Sequence, residues 1–309
     1  MSAPPIGDTE FRLLRVFRAV AECGGVTAAE AELGLARSTI STHIAALETR
    51  LGLRLCDRGR GGFALTEEGR LVYREAVRLM SAVDSFRAEI GGARNKLVGE
   101  FNLVIIDGIL TLPEVPLIAA LAAFRARAPD VHVTIGVLST DEMERRVLDG
   151  TAHVAFSAVH GRKAGLSYRI VATETQYLYC GRGHPLFDTP DDEIDAAVLS
   201  RQAAIGRTFL DLARTHEGPL PREPAASANN LEAMLILIRT GAYVGNLPRQ
   251  VADPHVAEGT LKAIRPDLTR HDQDFALVTR DTPRQPPVVS AFLEAYAALA
   301  QDAGADGAR

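Results

Sequence analysis

The sequence predicts an α/β protein with an all-α winged helix-turn-helix at its N-terminal end. Three observations lead there. Residues 36–65 read as a helix with one apolar and one hydroxyl-rich face, followed by an arginine-tipped hairpin. Residues 66–90 place apolar side chains at alternating steps of four and three. From residue 100 onward, β-rich runs alternate with helical stretches, which predicts an α/β domain with a mainly parallel sheet.

The head builds up in order. Residues 10–22 are helical by pattern, with Leu13, Phe17 and Val20 on one face, and Gly24-Gly25 ends the run. Thr27 and Glu30 have the spacing of a capping box, so a short helix starts there and runs to Leu33, where Gly34 suits a left-handed turn. A longer helix follows from near Arg37. Its Ile40, Ile44, Leu47 and Leu51 share one face, while Ser38, Thr39, Ser41, Thr42 and His43 can all donate or accept hydrogen bonds. Segments 53–55 and 63–65 read as short strands around Arg58-Gly59-Arg60-Gly61-Gly62. Glycines allow the tight turn, and guanidiniums suit phosphate oxygens. Residues 8–65 thus form a winged helix-turn-helix, with Thr27, Arg37, Ser38, Thr39, Ser41, Thr42, Arg58 and Arg60 as its candidate DNA contacts.

Charge supports that placement. The chain of 309 residues has a net charge of −5, which alone argues against nucleic acid. Between Leu33 and Leu65, however, five arginines face one glutamate and one aspartate, a local +3 that leaves −8 elsewhere. Length predicts two domains, and 47% hydrophobic residues can fill two cores. No apolar run approaches the length of a membrane span. The start MSAPPIGDTEF lacks the basic and apolar regions of a signal peptide. Cys23, Cys56 and Cys180 are few and scattered, as in a reducing compartment. The expectation is a cytoplasmic protein without membrane attachment.

Thr66 is a plausible N-cap, with Glu67 and Glu68 at the positive end of the helix that follows. Val72, Ala76, Leu79, Val83, Phe86 and Ile90 then form a seam, and residues 66–90 would span roughly 37 Å as a helix. Such a seam packs either on its own domain or on a second copy of the chain. Gly91-Gly92 ends this helix of 66–92, and 93–99 reads as a hinge.

In the second half, strands are expected at 101–106, 131–138, 153–157, 169–172, 176–181, 203–205, 225–226, 243–246 and 274–280. Helices are expected at 115–128, 142–148, 209–216, 231–240 and 287–300. Three helix starts carry capping boxes or close variants: Thr111–Glu114, Ser139–Glu142 and Asn229–Glu232. Plain capping explains them. The alternative is that free N–H groups there bind an anionic ligand.

The chain resembles the LysR-type transcriptional regulators. The resemblance rests on the helix-turn-helix at 27–51, on Leu47-Glu48-x-x-Leu51-Gly52, and on Leu65-Thr66-x-x-Gly69 after the wing. It continues through Phe124-Arg-Ala-Arg-Ala-Pro-Asp-Val-His-Val and Arg239-Thr-Gly-Ala-Tyr-Val-Gly-Asn-Leu-Pro248, to about residue 300. One departure is Ala36, where the family usually has serine, a helix cap better than alanine by about 1 kcal/mol. The resemblance implies that 66–92 pairs antiparallel with its copy in a dimer or a dimer of dimers. It also implies that 100–301 is an effector-binding domain resembling periplasmic binding proteins. One lobe would hold 100–172 and 274–301, the other 173–270, joined by two crossing strands. Implied partners are double-stranded DNA, a small effector, a second copy of the chain and RNA polymerase. Implied effector contacts are Asp107, Gly108, Thr111, Ser139, Thr140, Arg207, Thr208, Asn229, Asn230 and Asn246.

Among these, Asp107 would repel a simple anion. It is either solvated or salt-bridged, or it meets an ammonium while Arg207 takes a carboxylate in bidentate fashion. The second arrangement suits a zwitterion. Rival classes find less support. No nucleophile motif, metal-ligand spacing, Walker loop or dinucleotide fingerprint is present, so neither an enzyme nor a cofactor is expected. Cys180 alone in its domain cannot form an intradomain disulfide there, which counts against a redox sensor of the cysteine-pair type. A solute-binding protein without regulatory role does not explain the DNA-binding half.

Overall fold

The structure is a computed structural model that describes residues 7–59, 62–92, 97–207, 220–221 and 223–306. They fall into two compact units, the first running to Arg87 and also taking in Asp149–Thr151, the second holding the rest. The wing tip at 60–61, the expected helix at 209–216, Thr208 and part of the expected hinge lie outside the described residues.

In the first unit, α1 (Asp8–Glu22) begins where the Glu10 carboxylate accepts the Gly7 N–H at 3.0 Å. It buries Phe17 and Val20 fully. Next come α2 (Ala29–Leu33) and α3 (Arg37–Leu51), joined by a turn whose Gly34 sits at φ +61°. Ile40, Ile44 and Leu47 are buried, so the expected apolar face of α3 is the one in the core with α1. Thr27 and Glu30 do not close a capping box. Ala28 holds the N-cap position in a helical conformation, and Glu30 serves a different helix.

The antiparallel hairpin of β1 (Cys56–Gly59) and β2 (Gly62–Leu65) pairs Cys56 with Leu65. Its first strand begins after the expected 53–55, because the Glu48 carboxylate takes the N–H of Leu55 at 2.7 Å and of Cys56 at 3.3 Å. Helix α4 (Glu67–Gly92) follows. Ala76 and Met80 enter the head core and Val72, Tyr73 and Leu79 pack against it, whereas Phe86 is 65% exposed. The first half of the seam therefore serves its own domain.

The second unit opens with β3 (Val98–Ile105), α5 (Leu117–Arg127), β4 (Asp130–Val137), α6 (Thr140–Asp149) and β5 (Val154–Ala158). The long β6 (Leu166–Gly181) merges two expected strands into one. After it come α7 (Ala196–Leu199), β7 (Ile205–Arg207), β8 (Ala226–Ala228), α8 (Leu231–Arg239) and β9 (Val244–Pro248). The chain ends with α9 (Arg249–Ala257), β10 (Leu261–Ala263), α10 (Pro266–Thr269), β11 (His271–Arg280) and α11 (Pro287–Asp306).

The main sheet runs β10-β6-β11-β5-β3-β4, with β9 also paired to β6. Only β3 is parallel to its neighbours β4 and β5, and the rest of this sheet is antiparallel. The expected mainly parallel sheet is thus a mixed one. No helix separates β5 from β6, and β11 inserts antiparallel between them. The alternation of helix and strand in the sequence does not reveal that insertion.

Three buried clusters pack in this unit. One gathers Phe101, Phe124, Phe156, Phe292 and Tyr296, with Phe101 4.9 Å from Phe124 and 4.8 Å from Phe292 by ring centroids. A second includes Leu178, Cys180, Val244 and Ile264, and a third includes Tyr179, Ile238 and Leu247. Strand β6 contributes Leu166 and Ala172 to the first, Leu178 and Cys180 to the second and Tyr179 to the third.

The predicted helix starts also move. Thr111–Glu114 begins no helix: Ile109–Thr111 is a single 3-10 turn and α5 starts behind Pro116. Pro113 holds Leu112 extended, as the residue before a proline prefers. At the third start the cap is Asn230, one residue later than expected, with its Oδ1 accepting the Ala233 N–H at 2.8 Å. At the second, the Ser139 carbonyl accepts the Met143 N–H, while the Glu142 carboxylate turns to Arg145 and Arg146.

Candidate functional site

In the head, Arg37, Ser38 and Thr42 are exposed along α3, Thr39 and Ser41 are half-buried, and Thr27 is exposed ahead of α2. The Thr42 hydroxyl donates to the Ser38 carbonyl at 2.9 Å, so toward solvent it offers acceptor lone pairs and a methyl. Ala36 makes no side-chain cap, as its identity demands. Glu30 supplies the missing acceptor from α2, taking the Arg37 N–H at 2.7 Å. Arg58 lies opposite Phe63 in the hairpin, and Arg60 falls outside the described residues.

The two short motifs now have physical reasons. Glu48 ties α3 to the start of β1 through two backbone N–H groups. Thr66 caps α4 by accepting the Gly69 N–H at 2.9 Å, and its hydroxyl donates to the Arg54 carbonyl at 2.6 Å. A Cβ on Gly69 would lie 2.0 Å from the Leu55 carbonyl oxygen, so only glycine lets α4 approach β1 this closely. Arg50 pairs with Glu10 and joins α3 to α1. The exposed hydroxyl face of α3 is thereby held in fixed orientation by its neighbours on both sides.

In the second unit, several expected residues meet. The Asp107 carboxylate, just beyond β3, accepts the N–H of Leu231, the first residue of α8, at 2.6 Å. It also faces the Arg207 guanidinium at 3.4 Å, with both side chains 17% exposed. Of the two readings of Asp107, the salt-bridged one is observed. Gly108, at φ +80°, brings the chain so close that a Cβ would sit 2.6 Å from the Leu231 side chain. The helix N-terminus that was open to an outside anion in the sequence is therefore closed by the chain's own carboxylate and by Asn230.

Beside this pair lies a network that sequence reasoning missed. Glu174, on β6, is 4% exposed, and its carboxylate accepts from Gln176 Nε2 at 2.8 Å and from Gln250 Nε2 at 3.0 Å. Gln250 also reaches Thr111 Oγ1 at 3.4 Å, and the Thr111 hydroxyl donates to the Gly108 carbonyl at 2.8 Å. Burial pushes the Glu174 carboxyl above the usual range. Its hydrogen bond from Gln176 and the charge of Arg207 oppose that, and the charge of Asp107 reinforces it. A signal was present: strand alternation puts Glu174 on the face of Ala172 and Leu178, both buried.

Other expected contacts stay apart. Thr140 accepts from Ser157 Oγ at 3.3 Å, both buried, and Asn229 is exposed. Asn246 pairs through its backbone with Leu178. Among the described residues, no hydrogen bond joins Ser139, Thr140 or Asn246 to the Asp107 group. Cys180 is fully buried, and burial pushes its thiol up to about 12, so it is a protonated core residue rather than a reactive thiolate. No helix among the described residues is long and apolar enough to cross a membrane.

Comparison with known proteins matches both units. Residues 11–70 match the model described as bacterial regulatory helix-turn-helix protein, lysR family, and residues 98–301 match LysR substrate binding domain. The chain is 40% identical over 292 residues to the HTH-type transcriptional activator BauR of Pseudomonas aeruginosa, covering 94% of this chain and 96% of that protein. It is 33% identical over 173 residues to a probable hydrogen peroxide-inducible genes activator of Mycobacterium xenopi, covering 56% of this chain and 90% of that one. Among solved structures, full-length CbnR complexed with its target DNA superposes with TM-score 0.61 at 27% identity, over 93% of this chain and 99% of that chain. Full-length OxyR from Pseudomonas aeruginosa gives 0.62 at 18% identity, over 95% of each, a likeness of fold. The chain therefore belongs to the LysR family of DNA-binding transcriptional regulators, with an effector-binding domain behind its helix-turn-helix head.

Proposed function

We propose that this regulator reads its operator through Arg37, Ser38, Ser41 and Thr42 in the major groove. Thr27 and Thr39 stand at the margins of that surface, and Arg58 and Arg60 of the wing reach phosphates or the minor groove. Effector occupancy between the two lobes of residues 100–301 tunes that contact, and the effector is a small polar molecule carrying a carboxylate. The observation that carries the reading is Arg207, which meets Asp107 at 3.4 Å beside the Leu231 N–H of α8: a guanidinium and a helix N-terminus converge on one carboxylate. Thr111 and Gln250 join the same group across the lobes. Ser139, Thr140, Asn229, Asn230 and Asn246 are further candidate contacts of the effector, as is Thr208, which lies outside the described residues. The active form is a dimer or dimer of dimers built on α4, working in the cytoplasm with RNA polymerase as its protein partner.

Binding titrations on the promoter fragment upstream of its own gene test the DNA half. Replacing Arg37 with alanine is expected to cost about 1–3 kcal/mol and to relax preference at one base pair if that arginine meets a guanine. Unchanged affinity and unchanged base preference would refute the orientation of α3.

A further inference from the structure

We infer that Glu174 is the specificity-determining group for the cationic end of the effector, so that this site takes amine-bearing carboxylic acids. The inference rests on the effector reading above and deepens it.

Glu174 is buried, yet its hydrogen-bond partners are the neutral amides of Gln176 and Gln250. Among the described residues, no cation stands within ion-pair distance of its carboxylate. A buried acid without a cation is unfavourable to folding, since removing a carboxylate from water is costly unless it is paired. For mere linkage of β6 to α9, a neutral side chain would serve at lower cost. The residue types therefore point to charge recognition rather than to structure alone.

The surrounding charges agree. Asp107, Glu174 and Arg207 act on one another, and among the described residues of this group two carboxylates stand against one guanidinium. A ligand bearing only carboxylates would add further negative charge. A zwitterion adds no net charge: its ammonium pairs with Glu174 while its carboxylate takes the Arg207 side. Gln250 touches both Glu174 and Thr111, so it can orient the same ammonium from the lobe that carries Glu174 and link it to Thr111 of the other. Burial lifts the Glu174 carboxyl above its usual range, and an ammonium beside it would favour the ionised form.

The test uses the full chain and its Glu174→Gln variant, with thermal shift and DNA-complex mobility as readouts. The probes are α-, β- and γ-amino acids against acetate, propionate and butyrate. At least one amino acid is expected to raise the wild-type melting temperature while the amine-free acid of matching length does not. Glu174→Gln is expected to keep DNA binding and to lose about 10- to 100-fold in affinity for that amino acid. Glu174→Asp keeps the charge on a shorter arm and is expected to retain the preference for amines at reduced affinity. A wild type that answers monocarboxylates as well as amino acids overturns the assignment of Glu174 but leaves the effector reading standing. So does a Glu174→Gln protein that keeps the amino-acid response. A wild type unmoved by every probe overturns both.

Discussion

Glu30 holds the start of α3, and its removal gives a measurable cost. Its carboxylate accepts the Arg37 N–H at 2.7 Å, one of the donors that a helix start leaves open. Loss of such an acceptor costs about 1 kcal/mol, and loss of negative charge at the positive helix end adds about 0.3–1 kcal/mol. Glu30→Ala is therefore expected to destabilise the head by about 1–2 kcal/mol, a fall in its melting temperature of about 5–10 °C for a unit of this size. Glu30→Gln keeps an acceptor without the charge and is expected to fall between. Ala36→Ser caps a different donor, the N–H of Thr39 three residues on, so its gain of about 1 kcal/mol adds to either background instead of replacing Glu30. Circular dichroism melting of the four proteins reads this order directly. DNA affinity is a poorer readout, because removing an acid beside DNA also lowers phosphate repulsion. Equal melting of wild type and Glu30→Ala would refute the capping role.

Two further outcomes follow from the geometry. Gly69→Ala places a methyl 2.0 Å from the Leu55 carbonyl oxygen and is expected to destabilise the head by about 3 kcal/mol, whereas Gly161→Ala, with open space around it, is expected to be near neutral; urea unfolding of both checks the pair. Val83→Glu puts a charge on the half-buried continuation of the α4 seam and is expected to reduce the assembly to monomers with unchanged helix content; light scattering that finds wild type already monomeric at micromolar concentration would contradict the role of the seam.

Much of the head was legible because local signals and tertiary packing agree there. Ile40, Ile44 and Leu47 recur at helical spacing and are the residues buried. Where they disagree, tertiary partners decided. Glu30 had the spacing to cap its own helix yet caps the next one, since the turn at Gly34 brings the start of α3 within its reach. Thr111–Glu114 had a capping pattern, but two prolines in the next residues kept the chain from turning into a helix.

The candidate effector site was partly legible. The sequence leaves Asp107 either solvated or salt-bridged, or set with Arg207 at opposite ends of a ligand, and the structure pairs the two with each other. Their side chains lie a hundred residues apart, and no spacing rule encodes that meeting. Glu174 and Gln250 were overlooked because neither sits at a helix start or a strand end of the expected kind. Only the face of β6 and the first turn of α9 bring them together.

The Asp107 contact has a consequence for how sensitively this regulator answers its signal. An effector whose carboxylate goes to Arg207 does not enter a vacant seat but evicts a tenant. A tethered competitor of this kind acts at an effective concentration on the order of millimolar, and it weakens apparent affinity by the fraction of time it occupies the seat. On the proposed reading, position 107 is a dial on the dose-response midpoint: a shorter or neutral side chain there is expected to lower the threshold for response while leaving operator affinity unchanged. Regulators sharing this architecture can be retuned to scarce or abundant signals by one residue that the signal molecule replaces rather than touches.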